Sequence, residues 1–160
     1  MKRLLLLRHA HAEQPQADLA DINRPLSPRG RAEALDAAQC IARAQLQCEA
    51  VLTSPAVRAR ETAVIVAAQL DLLEQLNVES ALYLGSPDAL LEPLRRCAEE
   101  LNTVLMVGHN PGLSELAQHF NGADPRIELR TAGVCMIRFA AHTRWRELQA
   151  QLATGVTLLR

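Results

Sequence analysis

Aromatic side chains are scarce in this chain: two Phe, one Tyr and one Trp in 160 residues. Nucleic-acid platforms that stack bases rely on aromatic faces, so the composition argues against that class. A charge excess is missing too. Seventeen Lys and Arg against 18 Asp and Glu give a formal net charge of −1 with neutral histidines. No global field draws in a polyanion, and any affinity for phosphate must come from a local cluster. No apolar run approaches the roughly 18 residues that a membrane-spanning helix requires, and no membrane partner is expected. The apolar start, Leu4 to Leu7, gives way at once to Arg8-His9 and is too short for a secretory leader. The expectation is a cytoplasmic protein. Lysine is nearly absent as well: Lys2 is the only one, and the other 16 basic residues are Arg. Arg offers a planar, bidentate fork suited to carboxylate and phosphate, although a GC-rich coding sequence would give the same bias. The four cysteines, Cys40, Cys48, Cys97 and Cys135, lack the close spacing of a zinc knuckle or redox pair. They are expected to be buried, reduced thiols.

What remains is an ordinary soluble composition, 49% hydrophobic and 22% charged. A chain of this length buries about 70% of the surface it exposes when unfolded, which suits one domain over residues 1–160. Short apolar runs alternate with helical patterns. Leu4 to Leu7 suits a strand buried on both faces. Residues 10–26 are polar and contain proline, as in a long loop. Ser27-Pro28 has the N-cap and first-turn residues of a helix, continued by Ala34, Leu35, Ala38, Ile41, Ala42 and Leu46 at helical spacing. Ala50 to Thr53 is a second short strand. Ser54-Pro55 repeats the helix opening, with the helix running through Ala63 to Leu72. Residues 78–84 are ambiguous, with a little strand. Ser86-Pro87 opens a third helix, to about Leu101. Thr103 to Val107 is the clearest strand, and Asn110-Pro111 opens a fourth helix, to about Phe120. Val134 to Phe139, with Trp145 to Leu152 and Val156 to Leu159 as weaker candidates, make a strand-rich final third. This alternation predicts an α/β fold: three layers, with a mostly parallel central sheet, helices on both faces and an antiparallel edge from the C-terminal strands.

Polar residues follow three of the strands: Arg8-His9, then Ser54-Pro55 with Arg58, then Gly108-His109-Asn110-Pro111. Ligands of open α/β sheets bind at the carboxyl ends of the strands. If these strands are neighbours, Arg8, His9, Arg58 and His109 converge on one crevice that suits a compact anion, best a phosphoryl group. Helices starting at Ser54 and Asn110 would aim their N–H groups at the same place. Each piece alone reads equally well as a surface Arg-His pair, an exposed helix-start Arg or a turn histidine. The weight lies in their conjunction.

Leu-Leu-Arg-His-Ala near the N-terminus, Ser-Pro-x-x-Arg-Ala-x-x-Thr (Ser54 to Thr62) and Gly-His-Asn-Pro-Gly (Gly108 to Gly112) resemble the histidine phosphatase, or phosphoglycerate-mutase-like, superfamily, in order and along the chain. The small size and Arg-Pro-Leu-Ser-x-x-Gly (Arg24 to Gly30) are similar to its SixA-type phosphohistidine phosphatase branch. Ala10 stands where many members have Gly. The resemblance implies a phosphoglycerate-mutase-like fold and His9 as nucleophile, carrying the phosphoryl group as a phosphohistidine that water then hydrolyses. It implies Arg8 and Arg58 gripping the phosphoryl oxygens, a protonated His109 as a further donor, and Arg24 as an extra phosphate contact. No cofactor and no metal are implied.

Larger members place a Glu before the third helix as general acid. Glu79 is the nearest match, though an exposed Glu is the plainer reading. If the acid is missing, a phosphohistidine substrate is favoured, because its leaving imidazole needs less proton help than an alkoxide does. The absence of long insertions points the same way, toward the phosphorylated side chain of a protein. The expected activity is therefore a protein phosphohistidine phosphatase. The alternative is a phosphomonoesterase or mutase acting on a small phosphorylated metabolite, with Glu79 in the pocket. A metal hydrolase built on His9, His11 and Glu13 lacks the rest of a ligand set. A non-catalytic phosphate-binding module would not need every residue of the chemistry. His11, His119 and His142 have no motif around them and read as surface or loop histidines.

Overall fold

The computed structural model describes residues 1–159. Six strands form one sheet: β1 (Arg3–Arg8), β2 (Ala50–Thr53), β3 (Leu76–Val78), β4 (Thr103–Gly108), β5 (Val134–Phe139) and β6 (Ala153–Leu159). Their order across the sheet is β3-β2-β4-β1-β5-β6. The first four are parallel, and β5 and β6 close one side as an antiparallel pair. Four helices complete the fold: α1 (Pro28–Arg43), α2 (Val57–Gln69), α3 (Pro87–Arg95) and α4 (Gly112–Phe120).

The strands are apolar throughout because both faces of the sheet are covered. Successive side chains on a strand point to opposite faces. Leu5, Leu7, Val51, Leu105 and Val107 pack on Ala38, Ile41, Ala59, Ala63 and Val66 of α1 and α2. Leu4, Leu6, Leu52, Val104 and Met106 pack on Leu90, Leu94, Leu113 and Leu116 of α3 and α4. The run Leu4 to Leu7 thus feeds both halves of the core, and all four residues are fully buried. The three-layer α/β architecture and its antiparallel edge match the expectation.

Several boundaries differ from those the sequence predicts. Ser27 does cap α1, accepting from the Gly30 N–H at 3.1 Å. Ser54-Pro55 and Asn110-Pro111, by contrast, lie outside the helices that follow them, which begin at Val57 and Gly112. Their side chains are used at the strand ends instead. α3 stops at Arg95 rather than near Leu101. Beyond it, Lys2 bonds the carbonyls of Glu99 and Leu101, and the Glu99 carboxylate accepts from the backbone N–H groups of Trp145 and Arg146. These ties hold the segment in turns. Trp145 to Leu152 is not a strand but two short 3-10 turns. The Trp145 ring is buried, and its indole N–H donates to the Leu101 carbonyl at 2.7 Å. The four cysteines are unpaired, with Cys135 buried and the others half-buried. No helix among the described residues is long and apolar enough to cross a membrane.

The loop between β1 and α1 is held down where it passes the sheet. Ala12 bridges to Leu26, the Ser27 N–H donates to the His11 carbonyl at 3.0 Å, and Gly30 is buried directly against that carbonyl. A Cβ at Gly30 would overlap the carbonyl oxygen, and backbone cannot yield as a flexible side chain does. Gly30→Ala is therefore expected to lower stability by about 1–3 kcal/mol, the usual cost of overpacking, read as a fall in the urea midpoint at unchanged m-value.

Candidate active site

Parallel register brings three strand ends level. Arg8 lies opposite Gly108, and Thr53 lies opposite Val107. The residues just beyond are joined to the neighbouring strand: the His9 N–H donates to the Gly108 carbonyl at 2.9 Å, and the Ser54 N–H to the Val107 carbonyl at 3.0 Å. His9, Ser54 and His109 are thus the first residues past three adjacent strands, and Arg58 follows in the first turn of α2. Arg8, His9, Arg24, Arg58 and His109 line one cleft of about 350 Å³, together with His11, Asn110 and Thr131. All four residues of the core expectation meet there, and so does Arg24. Glu79 does not line the cleft. Its carboxylate pairs with Arg96 at 2.7 Å on the outside. His119 and His142 lie elsewhere, on α4 and in a turn.

The protonation of His9 can be read from its partners. Its Nδ1 lies 2.8 Å from the Ala10 carbonyl oxygen, which can only accept, so Nδ1 carries the hydrogen and Nε2 holds the lone pair. Nε2 receives the Arg58 Nε–H at 3.3 Å. Burial lowers the affinity of the ring for a second proton, and the charges of Arg58 and Arg8 act with it against the Ala10 carbonyl. The pKa falls from 6.5 to about 4. His9 is therefore a neutral imidazole with a lone pair on the cleft side of the ring, the form that can attack phosphorus.

His109 stands 5.1 Å from His9 between ring centroids. Its Nε2 is 2.7 Å from Ser54 Oγ. The Ser54 oxygen already accepts from the Ala56 N–H at 3.2 Å, and its own hydrogen finds its acceptor in the Nε2 lone pair. That leaves Nδ1–H as the free donor of a neutral ring. Burial, with the adjacent His9 and Arg58, pushes its pKa down to about 3. The expectation of a protonated His109 is corrected accordingly: it donates without a charge. His109 Nδ1 and Arg8 Nε are buried and have no protein partner, and a tetrahedral anion would satisfy both.

Arg58 is only 3% exposed, and a buried guanidinium needs pairing. Asp21 supplies it. The Asp21 backbone carbonyl accepts from one Arg58 nitrogen at 2.8 Å, and its carboxylate accepts from another at 3.0 Å. The same carboxylate accepts from Arg24 at 3.1 Å and from the Tyr83 hydroxyl at 2.9 Å. Partial burial pushes Asp21 up, but the hydrogen bonds from Tyr83 and Arg24 and the charge of Arg58 outweigh it and hold the pKa at about 2. Tyr83 in turn sets its ring edge-on to His109, 5.5 Å between centroids. Sequence reasoning passed over Asp21, Tyr83 and the bonding role of Ser54. Asp21 lies three residues before Arg24, a spacing at which ion pairs form, and that was the only local signal. No group of three or more potential metal-ligating side chains occurs among the described residues.

Two outcomes follow from the neutral imidazoles. In proton NMR titrations, the ring signals of His9 and His109, assigned with H9A and H109A, are expected to stay neutral as pH falls through the ordinary histidine value of 6.5. The unfolded chain binds these protons near 6.5 while the folded chain binds them near 4 and 3. Stability contributed by these sites is thus full above 6.5 and is lost as pH falls toward the folded values.

A family model described as histidine phosphatase superfamily (branch 1) matches residues 4–83. An uncharacterized protein of Mycobacterium tuberculosis is 33% identical over 94% of this chain and 96% of its own. Among solved structures, SixA from Nakamurella multipartitia is 25% identical, with a TM-score of 0.81 over 99% of this chain and 95% of that one. The protein histidine phosphatase SixA complexed with tungstate shares the fold, at 23% identity and a TM-score of 0.78 over 98% and 93% of the two chains. The family model and the mycobacterial relative show that the chain belongs to the histidine phosphatase superfamily.

Proposed function

We propose that this chain is a metal-independent phosphatase that works through a phosphohistidine on His9, and that its substrate is a phosphohistidine of a protein. One observation carries the reading: a neutral His9, with its lone pair directed away from the Ala10 carbonyl, stands in a cleft with three guanidinium groups. In the first step His9 Nε2 attacks phosphorus while Arg8, Arg58 and the His109 Nδ1–H hold the three non-bridging oxygens. Arg24, fixed by Asp21 and by the Glu13 carbonyl at 3.0 Å, adds charge at the rim. These donors are set before substrate arrives and lie where negative charge gathers in the transition state. Water then attacks the phosphohistidine and releases phosphate.

The preference for an N-linked phosphoryl group rests on what surrounds the cleft. Among the described residues no Asp or Glu side chain lines it, and Glu79 is engaged by Arg96. A leaving imidazole tolerates the lack of a carboxylic acid better than an alkoxide does. The likeness to SixA from Nakamurella, whose name points to phosphohistidine, supports the same substrate. The small-metabolite alternative relied on Glu79 in the pocket, and Glu79 lies outside the cleft lining.

Turnover with a strong chelator present, compared across a phosphohistidine protein, phosphoramidate, p-nitrophenyl phosphate and sugar phosphates, tests the proposal. The expected order favours the N-phosphoryl substrates, and His9→Ala is expected to abolish all of them. Arg58→Ala is expected to lower kcat about 10²- to 10³-fold, roughly 3–4 kcal/mol by analogy with loss of an oxyanion donor. Glu79→Gln should leave the rate unchanged. Full activity in the His9→Ala variant, or a clear preference for sugar phosphates that Glu79→Gln weakens, would overturn the reading.

A further inference from the structure

We infer that His11 is the proton donor to the leaving group, a role resting on the phosphatase reading above. His11 lies two residues past the nucleophile and lines the same cleft. Its surroundings fix which of its nitrogens exchanges protons. Nδ1 is 2.7 Å from Ser27 Oγ. That hydroxyl sits 3.2 Å from the His11 carbonyl, to which it donates, and it accepts the Gly30 N–H at 3.1 Å. With its single hydrogen given to the carbonyl and one lone pair given to Gly30, Ser27 Oγ has one lone pair left, and Nδ1–H fills it. The His11 backbone is committed as well: its N–H donates to the Glu33 carboxylate at 2.9 Å, and its carbonyl accepts from the Ser27 N–H at 3.0 Å. Nε2 is the one polar atom of the residue with no protein partner. It is therefore the nitrogen free to carry a mobile proton.

Other candidates for this role are occupied. His9 is the nucleophile. His109 gives Nε2 to Ser54, and its Nδ1 is buried. Tyr83 donates its hydrogen to Asp21, and Asp21 is held ionised by its hydrogen bonds and by Arg58. The charged and titratable groups around His11 are Glu33 and its partner Arg29 on α1, 2.9 Å apart, Arg24 on the loop, and Arg8, Arg58, His9 and His109 of the cleft.

The step balances as follows. His9 Nε2 forms the bond to phosphorus, the bond from phosphorus to the leaving atom breaks, and its electron pair takes the proton from His11 Nε2. Neutral His11 then receives a proton from the attacking water through the same Nε2. The oxygen of that water bonds to phosphorus, the bond from phosphorus to His9 breaks, and inorganic phosphate leaves. Both imidazoles return to their starting states.

The test compares kcat/KM of wild type, His11→Asn and His11→Gln on p-nitrophenyl phosphate and phenyl phosphate. p-Nitrophenolate departs readily without a proton, whereas phenolate needs one. Asn keeps a donor to Ser27, and Gln fills the volume without titrating. Both variants are expected to lose about 10²-fold on phenyl phosphate, the usual worth of a positioned acid, and by a clearly smaller factor on p-nitrophenyl phosphate. Equal losses on both substrates would make His11 structural and overturn the proposal, as would no loss at all. Those outcomes leave the phosphatase reading standing if His9→Ala is still inactive on p-nitrophenyl phosphate. A wild type inactive on both substrates, or an active His9→Ala, overturns the nucleophile and the donor together.

Discussion

The contact between Arg58 and His9 depends on a carboxylate that never touches substrate. Arg58 has to be buried to reach the ring, yet a buried guanidinium without a partner is strongly destabilising. Asp21 resolves this from the rim. It accepts from Arg58 through both its backbone carbonyl and its carboxylate, while remaining about half exposed, at 49% of its side chain. Its own charge is therefore still partly solvated, so the pair does not carry the desolvation cost of two buried ions. Tyr83 and Arg24 fix the carboxylate in the orientation that both arginines use. Held in this way, the Arg58 charge helps keep His9 unprotonated and stands beside its Nε2, where the proposed mechanism places a phosphoryl oxygen. One cation thus favours both the nucleophilic form of the histidine and the charge that develops during its attack.

The sheet makes this arrangement possible because its four parallel strands present their carboxyl ends on one side. The order β2-β4-β1 puts the ends of three strands side by side, although their sequences lie some fifty residues apart. Backbone hydrogen bonds continue one residue past the strands, from His9 to Gly108 and from Ser54 to Val107. These cleft residues are therefore held by the ladder itself rather than by a free loop. Asn110 ties the far side, donating to the Leu129 carbonyl at 2.8 Å, which also accepts from Arg8 at 3.1 Å.

The elements that were legible in the sequence are those whose signals are local. Leu4 to Leu7 and Thr103 to Val107 are apolar runs with no helical period, and both are central strands. Arg8, His9, Arg58 and His109 could be placed because each stands at a fixed offset from such a run. Where side chains had two possible uses, the local signal misled. Ser54 and Asn110 look like helix caps. Ser54 also binds His109, and Asn110 ties the Leu129 carbonyl while its Oδ1 accepts from both the hydroxyl and the backbone N–H of Ser114, at 2.8 and 3.3 Å. Asp21 and Tyr83 were out of reach because their roles exist only across 37 and 62 residues of chain. The charge state of His109 is not legible in the sequence for a related reason. Its neutrality comes from burial, which no spacing reports.

The same electrostatics bear on a carboxylic acid placed in this cleft, whose lining holds none among the described residues. Asp21, bound by two of the arginines, is held at about 2. A carboxyl group placed among Arg8, Arg24 and Arg58 would ionise in the same way and have no proton to donate. It would also bind the guanidinium groups that the phosphoryl oxygens need, and its charge would favour protonation of His9. An imidazole donor is neutral once it has given up its proton, so the cleft gains no anion to compete with phosphate. A histidine in the cleft lining, anchored by Nδ1 to the serine that caps α1, adds no carboxylate to compete for the arginines.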